Sequence, residues 1–106
     1  EKLTDAAIKK VAEKCPNLTW LDVSFCGLTA LPDDIGNLAK LTYLDLSNNN
    51  LTALPRSIVE LDTSCELRLD DNPLQTPPRE VAEQGFPAMR RYFEQVDAGA
   101  IVSRQL

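Results

Sequence analysis

The segment from Leu18 to Leu28, LTWLDVSFCGL, returns 23 residues later from Leu41 to Leu51 as LTYLDLSNNNL, and in weaker form from Ser64 to Leu74 as SCELRLDDNPL. Aligned columns at a fixed period mean that one supersecondary unit is stacked on copies of itself, because a single unit of this size cannot bury its own apolar face. The shared pattern is L-x-x-L-x-L-x-x-N/C-x-L. Its leucine pairs Leu21/Val23, Leu44/Leu46 and Leu67/Leu69 alternate with polar or aromatic residues, and period-two alternation predicts a short strand in each repeat with the aliphatic side chains turned inward.

The column Cys26, Asn49, Asn72 falls in the turn after each strand. A buried amide there donates to and accepts from the backbone of adjacent repeats, satisfying groups that no regular ladder reaches, and a thiol does the same weakly. The other half of the repeat recurs as well: Leu31-Pro32-x-x-Ile35-x-x-Leu38 returns as Leu54-Pro55-x-x-Ile58-x-x-Leu61. In the third copy Pro77-Pro78 stand in the Leu-Pro columns, Val81 in the Ile column and Gln84 where Leu is expected, while Ser64 replaces the first strand leucine. Terminal repeats are atypical because one face meets solvent or a cap, so the stack ends there. The predicted fold class is α/β: a right-handed solenoid with a short parallel concave sheet and helical caps.

Residues 3–15 read as an amphipathic helix, with Thr4 as N-cap and Ile8, Val11, Ala12 and Cys15 on one face, ended by Pro16. At the other end Pro78 at N1 and Gly85 at C′ bound a short helix, and Pro87 opens a second whose Met89, Tyr92, Phe93 and Val96 form one apolar stripe, the lid on the last repeat. The expected organisation is a capping helix over 1–17, three repeats over 18–77, a helical cap over 78–97 and a linker or tail over 98–106.

The chain of 106 residues has a formal net charge of -5. Arg79, Arg90, Arg91 and Arg104 cancel Glu80, Glu83, Glu94 and Asp97, so the excess negative charge lies in the repeats. Nucleic-acid binding depends on clustered Lys and Arg that neutralise phosphates, and this charge argues against it. No run of about 18 apolar residues and no basic segment leading an apolar one occurs, so neither a membrane span nor a signal peptide is expected. Three cysteines leave at least one thiol unpaired, and the strand between Cys15 and Cys26 holds them too far apart to bridge, so a reduced cytoplasmic location is expected. The triplets Asn17-Leu18-Thr19 and Asn50-Leu51-Thr52 have the form of glycosylation acceptors but follow from the repeat itself. With no histidine, no nucleophile beside a general base and no phosphate-cradling glycine loop, the sequence predicts neither catalysis nor a cofactor or metal site.

The 23-residue unit with L-x-x-L-P-x-x-I-x-x-L resembles the intracellular leucine-rich repeats of Ras-interacting scaffolds, plant Ras-group proteins and Roco proteins, most closely over residues 28–76. The cap, Asn72-Pro73-Leu74 through Pro77-Pro78-Arg79-Glu80-Val81 to Met89-Arg90-Arg91-Tyr92-Phe93, is similar to the end of the array in Roco-type proteins, where it leads into a Ras-like GTPase domain. That resemblance implies an adjoining GTPase whose first strand lies near Ile101–Leu106. This chain itself carries no G-x-x-x-x-G-K-[ST]. The N-terminal part, from Leu3-Thr4-Asp5 through Cys15-Pro16-Asn17-Leu18 to Cys26, is similar to the cysteine-containing repeats of F-box substrate adaptors, which implies substrate recognition for a ubiquitin ligase.

The strand positions between the inward leucines face the concave side and give the rows Trp20, Tyr43, Glu66 and Asp22, Asp45, Arg68, followed by Ser24, Ser47, Asp70 and by Phe25, Asn48, Asp71. Aromatics and Arg dominate binding energy because they bury much area for little lost rotamer freedom. Trp20 beside Tyr43 is either a contact surface or a lateral pair that shields the strands. Asp22 and Asp45, on adjacent strands, are expected to repel, and Asp45 to pair with Arg68. Without further converging ligands the two carboxylates read as an acidic recognition patch rather than a metal site. Trp20, Asp22, Phe25, Tyr43, Asp45, Asn48 and Arg68 are therefore the candidate partner-binding residues of a protein-interaction module within a larger signalling protein. Three short strands span about 200 Å², against about 800 Å² per partner in a standard interface, so a partner must also grip the turns or further repeats.

Overall fold

The computed structural model describes residues 4–99. Helix α1 (Asp5–Lys14) begins where Thr4, in extended backbone, accepts a hydrogen bond on its hydroxyl from the Ala7 amide. Ile8 and Ala12 are buried and Val11 half-buried, as the spacing requires. Cys15 differs from expectation. It is the C-cap, its backbone has left the helical region, and its side chain is exposed.

Strands β1 (Trp20–Asp22), β2 (Tyr43–Asp45) and β3 (Glu66–Arg68) form one parallel sheet in that order. Trp20, Tyr43 and Glu66 align across it, as do Leu21, Leu44 and Leu67, then Asp22, Asp45 and Arg68. The sequence columns are thus the register of the sheet. Leu44 and Leu46 are fully buried, whereas Leu67 and Leu69 in the last repeat are only half-buried.

The asparagine column is a buried ladder. Asn49 Oδ1 accepts from the amides of Cys26 (3.0 Å) and Leu28 (2.9 Å), and its Nδ2 donates to the carbonyls of Val23 (3.0 Å) and Leu46 (2.9 Å). Asn72 Oδ1 accepts from the Leu51 amide, and its Nδ2 donates to the carbonyls of Leu46 and Leu69. The Cys26 side chain makes a single hydrogen bond, from its thiol to the Ser24 carbonyl within its own turn.

On the opposite side from the sheet, the Leu-Pro-x-x-Ile half of the first two repeats forms short 3₁₀ turns, Asp33–Asn37 and Arg56–Glu60. A short rise per turn with buried Ile35 and Ile58 suits a crowded return path. The two turns lie so close that a Cβ on Gly36 would stand 2.5 Å from the Ser57 carbonyl oxygen. Ser57 Oγ donates to the Asp33 carbonyl at 2.6 Å.

In the third repeat a helical segment, α2 (Arg79–Ala82), replaces the 3₁₀ turn, and α3 (Phe86–Asp97) follows. Their boundaries differ from expectation by a residue or two. Pro78 is the N-cap of α2 rather than its first helical residue, and Gly85, at φ 98°, is the N-cap of α3 rather than the end of α2. Proline's fixed φ fits both roles, and glycine alone adopts that positive φ without strain. Met89 and Phe93 are buried and Tyr92 packs against the core, and Phe86 and Ala88, which the apolar stripe did not include, are buried with them. Arg90 secures the lid by donating to the Val59 carbonyl at 2.7 Å, and Arg56 pairs with Asp97 while lying 5.7 Å over the Phe93 ring. The strand expected over Ile101–Leu106 lies outside the described residues.

Candidate functional site

Because side chains alternate along each strand, turning Leu21, Leu44 and Leu67 inward forces their neighbours onto the outer face of the sheet. Trp20 and Tyr43 stack there with ring centroids 5.1 Å apart and planes 13° from parallel. The stack shields Tyr43, which is half-buried, but leaves Trp20 56% exposed. The pair is thus lateral packing and an open aromatic surface together.

The second row behaves differently from its expectation. Asp22 Oδ1 accepts from the amide and hydroxyl of Ser24 (2.9 and 2.7 Å), and Asp45 Oδ1 from the amide and hydroxyl of Ser47 (3.0 and 2.6 Å). Tyr43 Oη donates to the other oxygen of Asp45 at 3.0 Å. These carboxylates hold the chain as it leaves the strand, and the same Asp-x-Ser arrangement recurs at Asp62 and Ser64. The expected ion pair between Asp45 and Arg68 does not form. With local donors on both Asp45 oxygens, Arg68 instead binds Glu66 (3.2 Å) and lies 3.8 Å from Asp70, both on its own strand side.

The charges follow this geometry. Burial pushes the Asp45 carboxyl upward but is outweighed by the hydrogen bonds from Ser47 and Tyr43 and by the charge of Arg68, so its pKa lies below the usual aspartate value. The hydrogen bond to Asp45 in turn raises the Tyr43 phenol, and the Glu66 carboxylate raises the Arg68 guanidinium. Among the described residues no three His, Cys, Asp or Glu side chains converge as a metal-binding group.

Past the strands the chain turns in a conformation that the sequence did not reveal. Phe25, Asn48 and Asp71 have φ of 57°, 59° and 61°. Asn and Asp tolerate this left-handed region, but a phenylalanine in it carries a strain of roughly 1–2 kcal/mol. Phe25 is also 74% exposed, so burial offsets little of that strain. The only available sequence signal was chemical: a column of Phe, Asn and Asp, two of them residues that favour left-handed turns. The structure thus brings Trp20, Asp22, Tyr43, Asp45 and Arg68 together on the sheet and sets Phe25 and Asn48 at the turns along one end of it.

Residues 16–74 match the family described as Leucine rich repeat. The chain belongs to the leucine-rich repeat family. No curated protein matches it. Leucine-rich repeat domains generally mediate protein–protein interaction and are typically binding modules without catalytic activity. The ladder asparagines and inward leucines are the columns that recur from repeat to repeat in this chain, whereas the outward rows differ between its repeats.

Proposed function

We propose that these leucine-rich repeats form a segment of a right-handed solenoid that binds a protein partner on its concave face, through Trp20 and Tyr43 with Phe25 at the turn and the charged row Asp22, Asp45 and Arg68 beside them. The observation that carries this reading is the pair of large aromatics kept in water, Trp20 at 56% and Phe25 at 74% exposure, the latter in a strained backbone. Strain at an exposed bulky residue is retained where function requires it, and buried aromatic anchors account for most of the energy of typical interfaces. The partner contacts Asn48 as well, since the sheet alone is smaller than a standard interface. Three free thiols, at Cys15, Cys26 and Cys65, support a reducing cytoplasmic setting.

The test is affinity capture from a cytoplasmic extract by the chain and by a Trp20→Ala/Phe25→Asn variant shown to melt no lower than the chain itself, compared by quantitative mass spectrometry. Proteins held by the first and lost by the second are the expected result. Identical captured sets refute the aromatic face. The similarity of the cap to that of Roco-type proteins supports a second reading, in which the repeats regulate an adjoining GTPase; the coding sequence beyond Leu106 must then contain a glycine-rich phosphate loop. The cysteine-type first repeat supports a third, a ubiquitin-ligase substrate adaptor, which requires an F-box-like helical segment before Glu1.

A further inference from the structure

The outer edge of β3 is built like an interior strand. Within the sheet, β2 bonds β3 through the amides of Leu46 and Asn48, which donate to the carbonyls of Arg68 and Asp70 (both 2.8 Å), and through the Thr42 carbonyl, which accepts from the Glu66 amide at 2.9 Å. One repeat further on, the equivalent groups are the amides of Leu69 and Asp71 and the carbonyl of Cys65. Among the described residues no strand stands beside them.

Below that edge the packing is incomplete in the same sense. Leu67, Leu69 and Leu74 are half-buried where their counterparts Leu44, Leu46 and Leu51 are sealed. Together with Phe86 and Met89 from α3 they line a recess of about 490 Å³, within the size range of ligand-binding clefts. The rim is acidic: Asp70, Asp71 and Glu83 stand there against Arg79, whose guanidinium is committed to the Asn72 carbonyl at 3.3 Å, and Arg68, which is bound to Glu66 at 3.2 Å and lies 3.8 Å from Asp70.

We infer that the β3 edge and this recess receive an extended segment of a partner protein that alternates basic and apolar residues and adds a fourth strand to the sheet. Strand addition supplies backbone hydrogen bonds for affinity, and alternate side chains supply specificity. With period two, the apolar side chains of the added strand enter the recess and its basic ones, on the outer side of the sheet, meet Asp70 and, at the turn, Asp71. The charge decides between occupants. A second copy of this chain brings a net charge of -5 to an acidic rim, whereas a basic segment is drawn to it. The seat is separate from the aromatic face and stands whether or not that face binds.

The experiment follows backbone amide resonances of the full chain during titration with a blocked nine-residue peptide alternating lysine or arginine with valine or leucine. The expected result is shifts centred on the amides of Leu69 and Asp71, with those of Trp20 and Tyr43 unmoved. An N-methylated version of the peptide, which cannot complete the ladder, and a version with glutamate for its basic residues should each bind at least about tenfold more weakly, as should the Asp70→Asn/Asp71→Asn variant for the original peptide. The inference is overturned by absence of binding, by shifts centred on Trp20 and Tyr43, or by equal affinity for the N-methylated peptide. Concentration-dependent broadening of Leu69 and Asp71 without peptide, which assigns the edge to a second copy, also overturns it. So does strong hydrogen-exchange protection of those two amides in the free monomer, which assigns the seat to the chain's own residues.

Discussion

Removing the Asn49 side chain tests how the repeats are held in register. In Asn49→Ala the amides of Cys26 and Leu28 and the carbonyl of Val23 lose their partners in a site where Asn49 itself is 6% exposed. An unsatisfied buried polar group costs about 1–3 kcal/mol, and at the low end three of them give a loss of about 3 kcal/mol. Asn72→Ala deprives only the Leu51 amide and the Leu69 carbonyl, giving about 2 kcal/mol. The Leu46 carbonyl receives both side chains, each at 2.9 Å. Either single variant leaves it one donor, and only the double variant leaves it none. The double loss should therefore exceed the sum of the single losses by about 1 kcal/mol, the size expected for residues sharing a partner. Against a total of about 5–15 kcal/mol for a domain this size, urea titration followed by circular dichroism resolves all three variants, with trimethylamine oxide added if the double variant is unfolded in buffer. Strict additivity, or a loss at Asn49 no greater than at Asn72, refutes the shared-carbonyl ladder.

Phe25→Asn, which places at φ 57° the residue type already found at φ 59° in the next repeat, should raise stability by about 0.5–1 kcal/mol while weakening partner capture; a destabilised variant would show that Phe25 is held by packing. Gly36→Ala drives a Cβ to 2.5 Å from the Ser57 carbonyl oxygen, and overpacking of this kind should cost about 1–3 kcal/mol, read as a fall in melting temperature of roughly 5 °C or more; an unchanged melting curve would mean that the two 3₁₀ turns separate freely. Because the Asp45 carboxyl lies below its ordinary value of 3.8, it contributes stability that is fully present above that pH and is lost as the pH falls through the lower folded value. Asp45→Asn should flatten the acid limb of stability measured between roughly pH 5 and pH 2, and an unchanged limb would remove Asp45 from the acid response.

The 23-residue spacing by itself determined the strands, their parallel register, the inward leucines and the buried asparagines, because each of these depends on one residue type at a fixed interval and on alternation along a strand. Thr4 and the stripe from Met89 to Val96 likewise announced their helices by local chemistry. Only the tertiary structure decided what the outward residues do. The expected Asp45–Arg68 pair was reasonable from adjacency in the sheet, yet Asp45 bonds its own neighbours, because a serine two residues along the chain is a nearer donor than a guanidinium on another strand. The strain at Phe25 depends on a backbone angle set by the whole turn, and the recess beside β3 arises where α3 meets an unfinished repeat. Spacing along the chain records which side chains face in together; three-dimensional packing determines which groups, once there, find one another.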